Sequence, residues 1–116
     1  MTPVSRKKLD IEIDKFLNNI LTQTLSKQSS PKDVFKLLKV LLTHTELEMI
    51  KKRIGIIYLL NIGLDTENIS RLTKTTRQTV IRIRLQLLDV DLENNEYVNK
   101  ILKTIKISQT IKDILN

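Results

Sequence analysis

An all-α fold of six helices follows from three features of this 116-residue chain. Glycine and proline occur only twice each, so the residues that punctuate turns are scarce. Leu, Ile and Lys dominate, and extended alternation of apolar and polar residues is nearly absent. The apolar residues instead recur at three- and four-residue steps, the spacing that lays a stripe along one side of a helix.

The first helix runs from about Leu9 to Ser26. Its stripe is Ile13, Phe16, Leu17, Ile20, Leu21 and Leu25, and its other face carries Asp10, Glu12, Asp14 and Lys15. Lys27-Gln28-Ser29-Ser30-Pro31 ends it and starts the second, with Ser30 as N-cap, Pro31 at the first helical position and Asp33 in the first turn. Val34, Phe35, Leu37, Leu38 and Leu41 are expected to fill the buried side of this second helix. Thr43 and Glu46 have capping-box spacing, in which the hydroxyl takes one exposed amide and the carboxylate reaches back to another.

A longer third helix begins there, carries Leu47, Ile50, Ile54, Ile57, Tyr58 and Leu60, and stops at Gly63, a residue suited to the left-handed conformation that closes helices. Asp65 or Thr66 caps a short fourth helix to about Leu72, and Thr75 or Thr76 caps a fifth to about Leu88. The acidic, Asn-containing stretch Asp89 to Asn95 breaks the pattern. Val98, Ile101, Leu102 and Ile105 then mark a sixth helix, with Ile111, Ile114 and Leu115 as a further turn behind Ser108.

The length fits one domain, residues 1–116. A chain this short buries only about two thirds of its unfolded surface, which favours sharing a core with a second copy. Twenty Lys and Arg against 13 Asp and Glu give a formal charge of +7, which suits a polyanionic partner. A membrane surface is a poor fit, because no Trp backs a basic helical face, and no apolar run approaches the roughly 20 residues of a span. The absence of cysteine excludes disulfides and thiolate metal sites, and the polar N-terminus lacks a signal-peptide core, so the expected compartment is the cytoplasm.

The charge is unevenly placed. From Thr66 to Leu88 the bases are Arg71, Lys74, Arg77, Arg82 and Arg84 against Glu67 alone, whereas Asp89, Asp91, Glu93 and Glu96 follow. Asp65 to Leu85 reads DTENISRLTKTTRQTVIRIRL, two short helices with a tight break between them. Ile69, Leu72, Val80 and Ile83 can lock these helices across each other, and Ser70 is small where close crossing is needed. That is the pattern of a helix-turn-helix, at about residues 65–88. In such a unit the start of the second helix faces base edges in the major groove of double-stranded DNA. Here those residues are Thr75, Thr76, Arg77, Gln78, Thr79 and Arg82. Arg77 has the fork for guanine, Gln78 the amide for adenine, and the Thr methyls suit thymine.

With LLTHTELEMIKKRIGIIYLL (Leu41 to Leu60), Gly63 and ISRLTKTTRQTVIRI (Ile69 to Ile83), the chain resembles the Trp repressor family and its bacterial relatives over about Leu38 to Leu88. The resemblance implies an intertwined homodimer acting on a pseudo-palindromic operator as a transcriptional regulator. It also places the family's ligand-side Thr and Arg on Thr43 and Arg53, and its recognition-helix Thr and Arg on Thr79 and Arg82. Where the family has a Gly that admits an indole this chain has Ile83, and where it has a small Ser this chain has Gln86, which argues against tryptophan as effector. The expected DNA contacts are therefore Arg53, Arg71, Lys74, Thr75, Thr76, Arg77, Gln78, Thr79, Arg82 and Arg84, and no cofactor is expected.

Catalysis finds no support. His44 stands alone beside the Thr43 cap, Asp10, Glu12 and Asp14 fit an exposed polar face, and no P-loop, dinucleotide loop, triad or zinc spacing is present. Single-strand binding calls for aromatic platforms, yet Phe16, Phe35, Tyr58 and Tyr97 all lie on apolar stripes. The alternative of a different class is a protein-interaction module that keeps the helix-turn-helix without specific DNA binding.

Overall fold

The computed structural model describes residues 10–89, 92–105 and 113. Among these residues the fold is all-α, with six helices and no strand: α1 (Ile11–Ser26), α2 (Pro31–Leu41), α3 (His44–Asn61), α4 (Thr66–Thr73), α5 (Arg77–Asp89) and α6 (Leu92–Lys103). None of the described helices is long and apolar enough to cross a membrane. Internal packing falls into two compact units, Met1–Ile50 and Lys51–Asn116.

In the first unit the helix starts are built by the residues expected to build them. Ser30 Oγ accepts the Asp33 N–H at 3.2 Å, with Pro31 at the first helical position. The Thr43 N–H donates to Glu46 Oε1 at 2.9 Å while the Glu46 N–H donates to Thr43 Oγ1 at 3.1 Å, a closed capping box. These two bonds, the backbone one first, hold the Glu46 carboxyl below its ordinary pKa.

The apolar faces of this unit are the exception. Neither α1 nor α2 contains a buried residue. Val34, Leu37 and Leu38 are half-buried, but Phe35 and Leu41, expected on the buried side of α2, are exposed. An amphipathic helix needs a second apolar layer to close on, and this unit of two helices and one opening turn supplies too little of one. The Lys39 ammonium lies 5.0 Å from the centre of the Phe35 ring and covers part of it.

The second unit has a core. Ile56 and Leu59 of α3, Ile69 of α4, and Val80 and Ile83 of α5 are buried together, with Ile57, Tyr58, Leu60, Leu64, Leu72 and Leu87 packed around them. The α3 residues at its centre, Ile56 and Leu59, are not those the sequence stripe picked out, and Ile54 stays exposed. This helix is apolar on most sides near its end, so periodicity alone does not select a face.

Gly63 ends α3 with φ +86°, and the Leu64 N–H donates to Leu59 O and the Gly63 N–H to Leu60 O, each at 3.1 Å. That paired closure satisfies the last carbonyls and turns the chain into α4. Asp65 Oδ1 then caps α4 by accepting the Asn68 N–H at 3.1 Å.

The last helix starts earlier than expected. Leu92 to Asn95, within the stretch expected to break the pattern, form the first turn of α6. A carboxylate is favoured in a first turn by the helix dipole. Leu102 of α6 is buried. The expected final turn at Ile111, Ile114 and Leu115 lies outside the described residues.

Candidate nucleic-acid interface

Lys74 is the pivot between α4 and α5. It has φ 52° and ψ 49°, the left-handed conformation, and the Ser70 carbonyl accepts both its N–H and that of Thr75, the latter at 3.0 Å. A left-handed residue after a helix reverses the chain within one step, at a cost of roughly 1–2 kcal/mol for a residue with a Cβ. Ser70 is itself buried, its hydroxyl donating to Glu67 O at 2.9 Å, so the crossing point carries neither bulk nor an unsatisfied polar group.

Threonines build the rest of the turn. Thr73 Oγ1 donates to Ile69 O at 2.7 Å and lies 2.9 Å from Thr75 Oγ1. Thr76 caps α5, its hydroxyl accepting the Thr79 N–H at 3.1 Å and lying 2.8 Å from Thr79 Oγ1. Thr75, Thr76 and Thr79, each expected at the nucleic acid, thus have hydroxyls engaged within the protein. Thr76 is exposed, and Thr75 and Thr79 are half-buried.

The geometry of α5 sorts its residues by side. At about 100° per residue, Val80, Ile83 and Leu87 point one way and Gln78, Ile81, Arg82 and Leu85 the other. Burial follows this division, with Val80 and Ile83 in the core while Arg77, Gln78, Ile81, Arg82 and Leu85 are exposed. Among the described residues, the Arg77, Gln78 and Arg82 side chains have no protein hydrogen-bond partner. No acidic side chain stands in the first turn of α5. The first two turns therefore offer two guanidinium groups and an amide to solvent on a helix pinned from behind.

The other expected residues divide into two groups. Lys74 is exposed at the turn. Arg71, Arg84 and Arg53 have guanidinium groups already engaged: Arg71 with Asn68 Oδ1 at 2.8 Å, Arg84 with Thr66 Oγ1 at 2.9 Å, and Arg53 with Gln86 Oε1 at 2.8 Å. The Arg84 bond ties α5 to the start of α4, and the Arg53 bond ties α3 to α5. Each guanidinium keeps further N–H groups for an anion, since it carries five.

Two residues escaped the sequence reading. Lys52 donates to the carbonyl of Lys74 at 3.4 Å, which brings its ammonium to the turn between α4 and α5. The signal in the sequence is only its place in the run Lys51-Lys52-Arg53, which does not say which of the three faces that turn. Ile81 is 41% exposed on the outer side of α5. The sequence pattern treats it as one more apolar residue of a helix.

Ile83, by contrast, is only 5% exposed and sits in the cluster with Ile56, Leu59, Ile69 and Val80. His44 is exposed at the start of α3, and no group of three His, Cys, Asp or Glu among the described residues could hold a metal ion. Comparison with protein-family models, with curated proteins and with solved structures finds no match to this chain.

Proposed function

We propose that this chain binds double-stranded DNA sequence-specifically, with α4 and α5 acting as a helix-turn-helix, and that it regulates transcription as a homodimer on a pseudo-palindromic operator. One observation carries the reading. The first two turns of α5 present Arg77, Gln78 and Arg82 outward and unengaged by other described residues, while Val80 and Ile83 fix the opposite side in the core. Those side chains match guanine and adenine edges, and their helix follows a tight turn, the arrangement in which the start of a second helix enters the major groove. Lys52 and Lys74, at the turn, are placed for the flanking phosphates, with Arg71, Arg84 and Arg53 as further cationic contacts.

The dimer rests on the exposed apolar stripes. Phe16, Leu17, Ile20 and Leu21 of α1 and Phe35 and Leu41 of α2 are each more than 40% exposed in the single chain. Contiguous exposed apolar stripes of this kind mark surfaces that a partner covers. A second copy covering these stripes, as the resemblance to the Trp repressor family implies, would also supply the layer that the first unit lacks and make one domain of the pair.

The experiment is a selection of bound duplexes from a random library, followed by titration of the selected site at several salt concentrations. A single enriched, two-fold-related site with a steep salt dependence is the expected outcome. Arg77→Ala and Gln78→Ala should each lose about 1–3 kcal/mol at that site and relax the preference at one base pair. Lys52→Ala should weaken all sequences alike and reduce the salt slope by about one unit. A second reading, a protein-interaction module, is favoured by the exposed Ile81, Leu85 and Leu88 on α5. It predicts no enriched site and no salt-dependent DNA binding.

A further inference from the structure

We propose that Ile81 is a specificity residue, placed to meet the C5-methyl of a thymine in the major groove; this rests on the DNA-binding reading above. Ile81 is 41% exposed although the core of its unit lies just behind it on Val80 and Ile83. Its helical neighbours are Arg77, four residues before, and Gln78, three before, both exposed, with Arg82 beside it. The three- and four-residue spacings to Gln78 and Arg77 set side chains on one helix about 5–6 Å apart. An apolar group is thus set among the polar groups best suited to base edges.

Chemistry selects its target. The thymine methyl is the one apolar group that the base edges offer in the major groove, and an aliphatic side chain is its natural contact. Isoleucine also suits the task mechanically. Its χ1 angle has essentially one rotamer in a helix, so the methyl groups of Ile81 are held in place before any DNA arrives. With Val80 and Ile83 buried on the same helix, there is little freedom for Ile81 to move away.

The remaining apolar side chains on this side do not share the role. Leu85 and Leu88 follow Ile81 by about 6 Å and about 10 Å along the axis, beyond the N-terminal turns that reach bases. Gln78 and Ile81 are adjacent, so the thymine should belong to the base pair whose preference Gln78 sets, or to its neighbour. If Gln78 takes adenine, the paired thymine presents its methyl in that same groove.

The test uses the full chain and the duplex recovered by selection, with each thymine replaced in turn by uracil, which removes only the methyl. For the wild type, one thymine per half-site should show a loss of about fourfold on replacement, the worth of one methyl removed from water. Ile81→Ala should bind the thymine duplex more weakly and show no further loss with uracil, whereas Ile81→Val should keep the penalty. The proposal is overturned if uracil is tolerated everywhere by the wild type, or if Ile81→Ala keeps the full uracil penalty. It is equally overturned if Ile81→Ala loses dimerisation in light scattering, which would make Ile81 a protein contact. In all three cases an enriched site in the selection leaves the DNA-binding reading standing. Failure to enrich any site removes both.

Discussion

Ile83 decides what cannot enter the space between α3 and α5. Its side chain is closed in by Ile56, Leu59, Ile69 and Val80, and Arg53 is engaged with Gln86 nearby in the same unit, so an indole added there would have to displace packed atoms. Overpacking of this kind costs about 1–3 kcal/mol. Calorimetry with millimolar tryptophan should therefore give no saturable heat, and DNA affinity should not change on its addition. Saturable heat with tighter DNA binding would show that the space opens. At the same scale the two glycines should behave oppositely. Gly55 lies inside α3 with nothing within 4 Å of an added Cβ, so Gly55→Ala should stabilise by about 1 kcal/mol. Gly63 also has open space, but its φ of +86° makes Gly63→Ala destabilising by about 1–2 kcal/mol. Thermal melts of the two variants moving in the same direction would contradict this account.

At the scale of the element, the capping box of α3 carries a pH dependence with a definite sign. The Glu46 pKa is lowered by the Thr43 N–H and then by the Thr43 hydroxyl, so its contribution is present above the ordinary glutamate value of 4.5 and is lost as pH falls below it through the lowered value. Exchange of the Thr43 amide should accelerate over that acid range beyond its intrinsic pH trend. Glu46→Gln, which can make the same reach-back bond without titrating, should flatten the excess. An unchanged acid profile in Glu46→Gln would remove Glu46 from the account. Caps of this sort were legible in the sequence because they are local. Ser30, Thr43 with Glu46, Gly63 and Asp65 each act within a few residues, and all stand where the spacing put them. What was not legible depends on partners distant in sequence. Ile56 and Leu59 become core only because α4 and α5 pack beside them, and Lys52 matters only because the turn at Lys74 comes to it. The apolar side of α2 failed as an expectation for the same reason, since nothing in its unit encloses Phe35 or Leu41. For the candidate site, residue types and helix phase were readable in advance, whereas the engagement of Arg53, Arg71 and Arg84 with protein acceptors was not.

For the whole molecule, the contrast between the two units has a measurable outcome. The first unit leaves its stripes exposed while the second closes a core, so the first should depend on association for its order. Light scattering at micromolar concentration should give twice the mass of one chain. Leu17→Ser combined with Ile20→Ser should shift the mass toward a single chain and lower helicity, because an isolated amphipathic helix of this length is marginal in water. A monomeric wild type with full helicity would refute the dimer.

Three bonds between elements of the second unit share one property: each is given by a cation and taken by an uncharged oxygen. Lys52 ends on a backbone carbonyl, Arg53 on an amide and Arg84 on a hydroxyl. The braces therefore hold α3, α4 and α5 without cancelling any positive charge. Mechanical support and electrostatic attraction come from the same side chains yet respond to different variables. Raising ionic strength should screen the field and release a polyanion. Bonds to neutral acceptors have no opposite charge to screen, so these three braces should keep their strength over the same range.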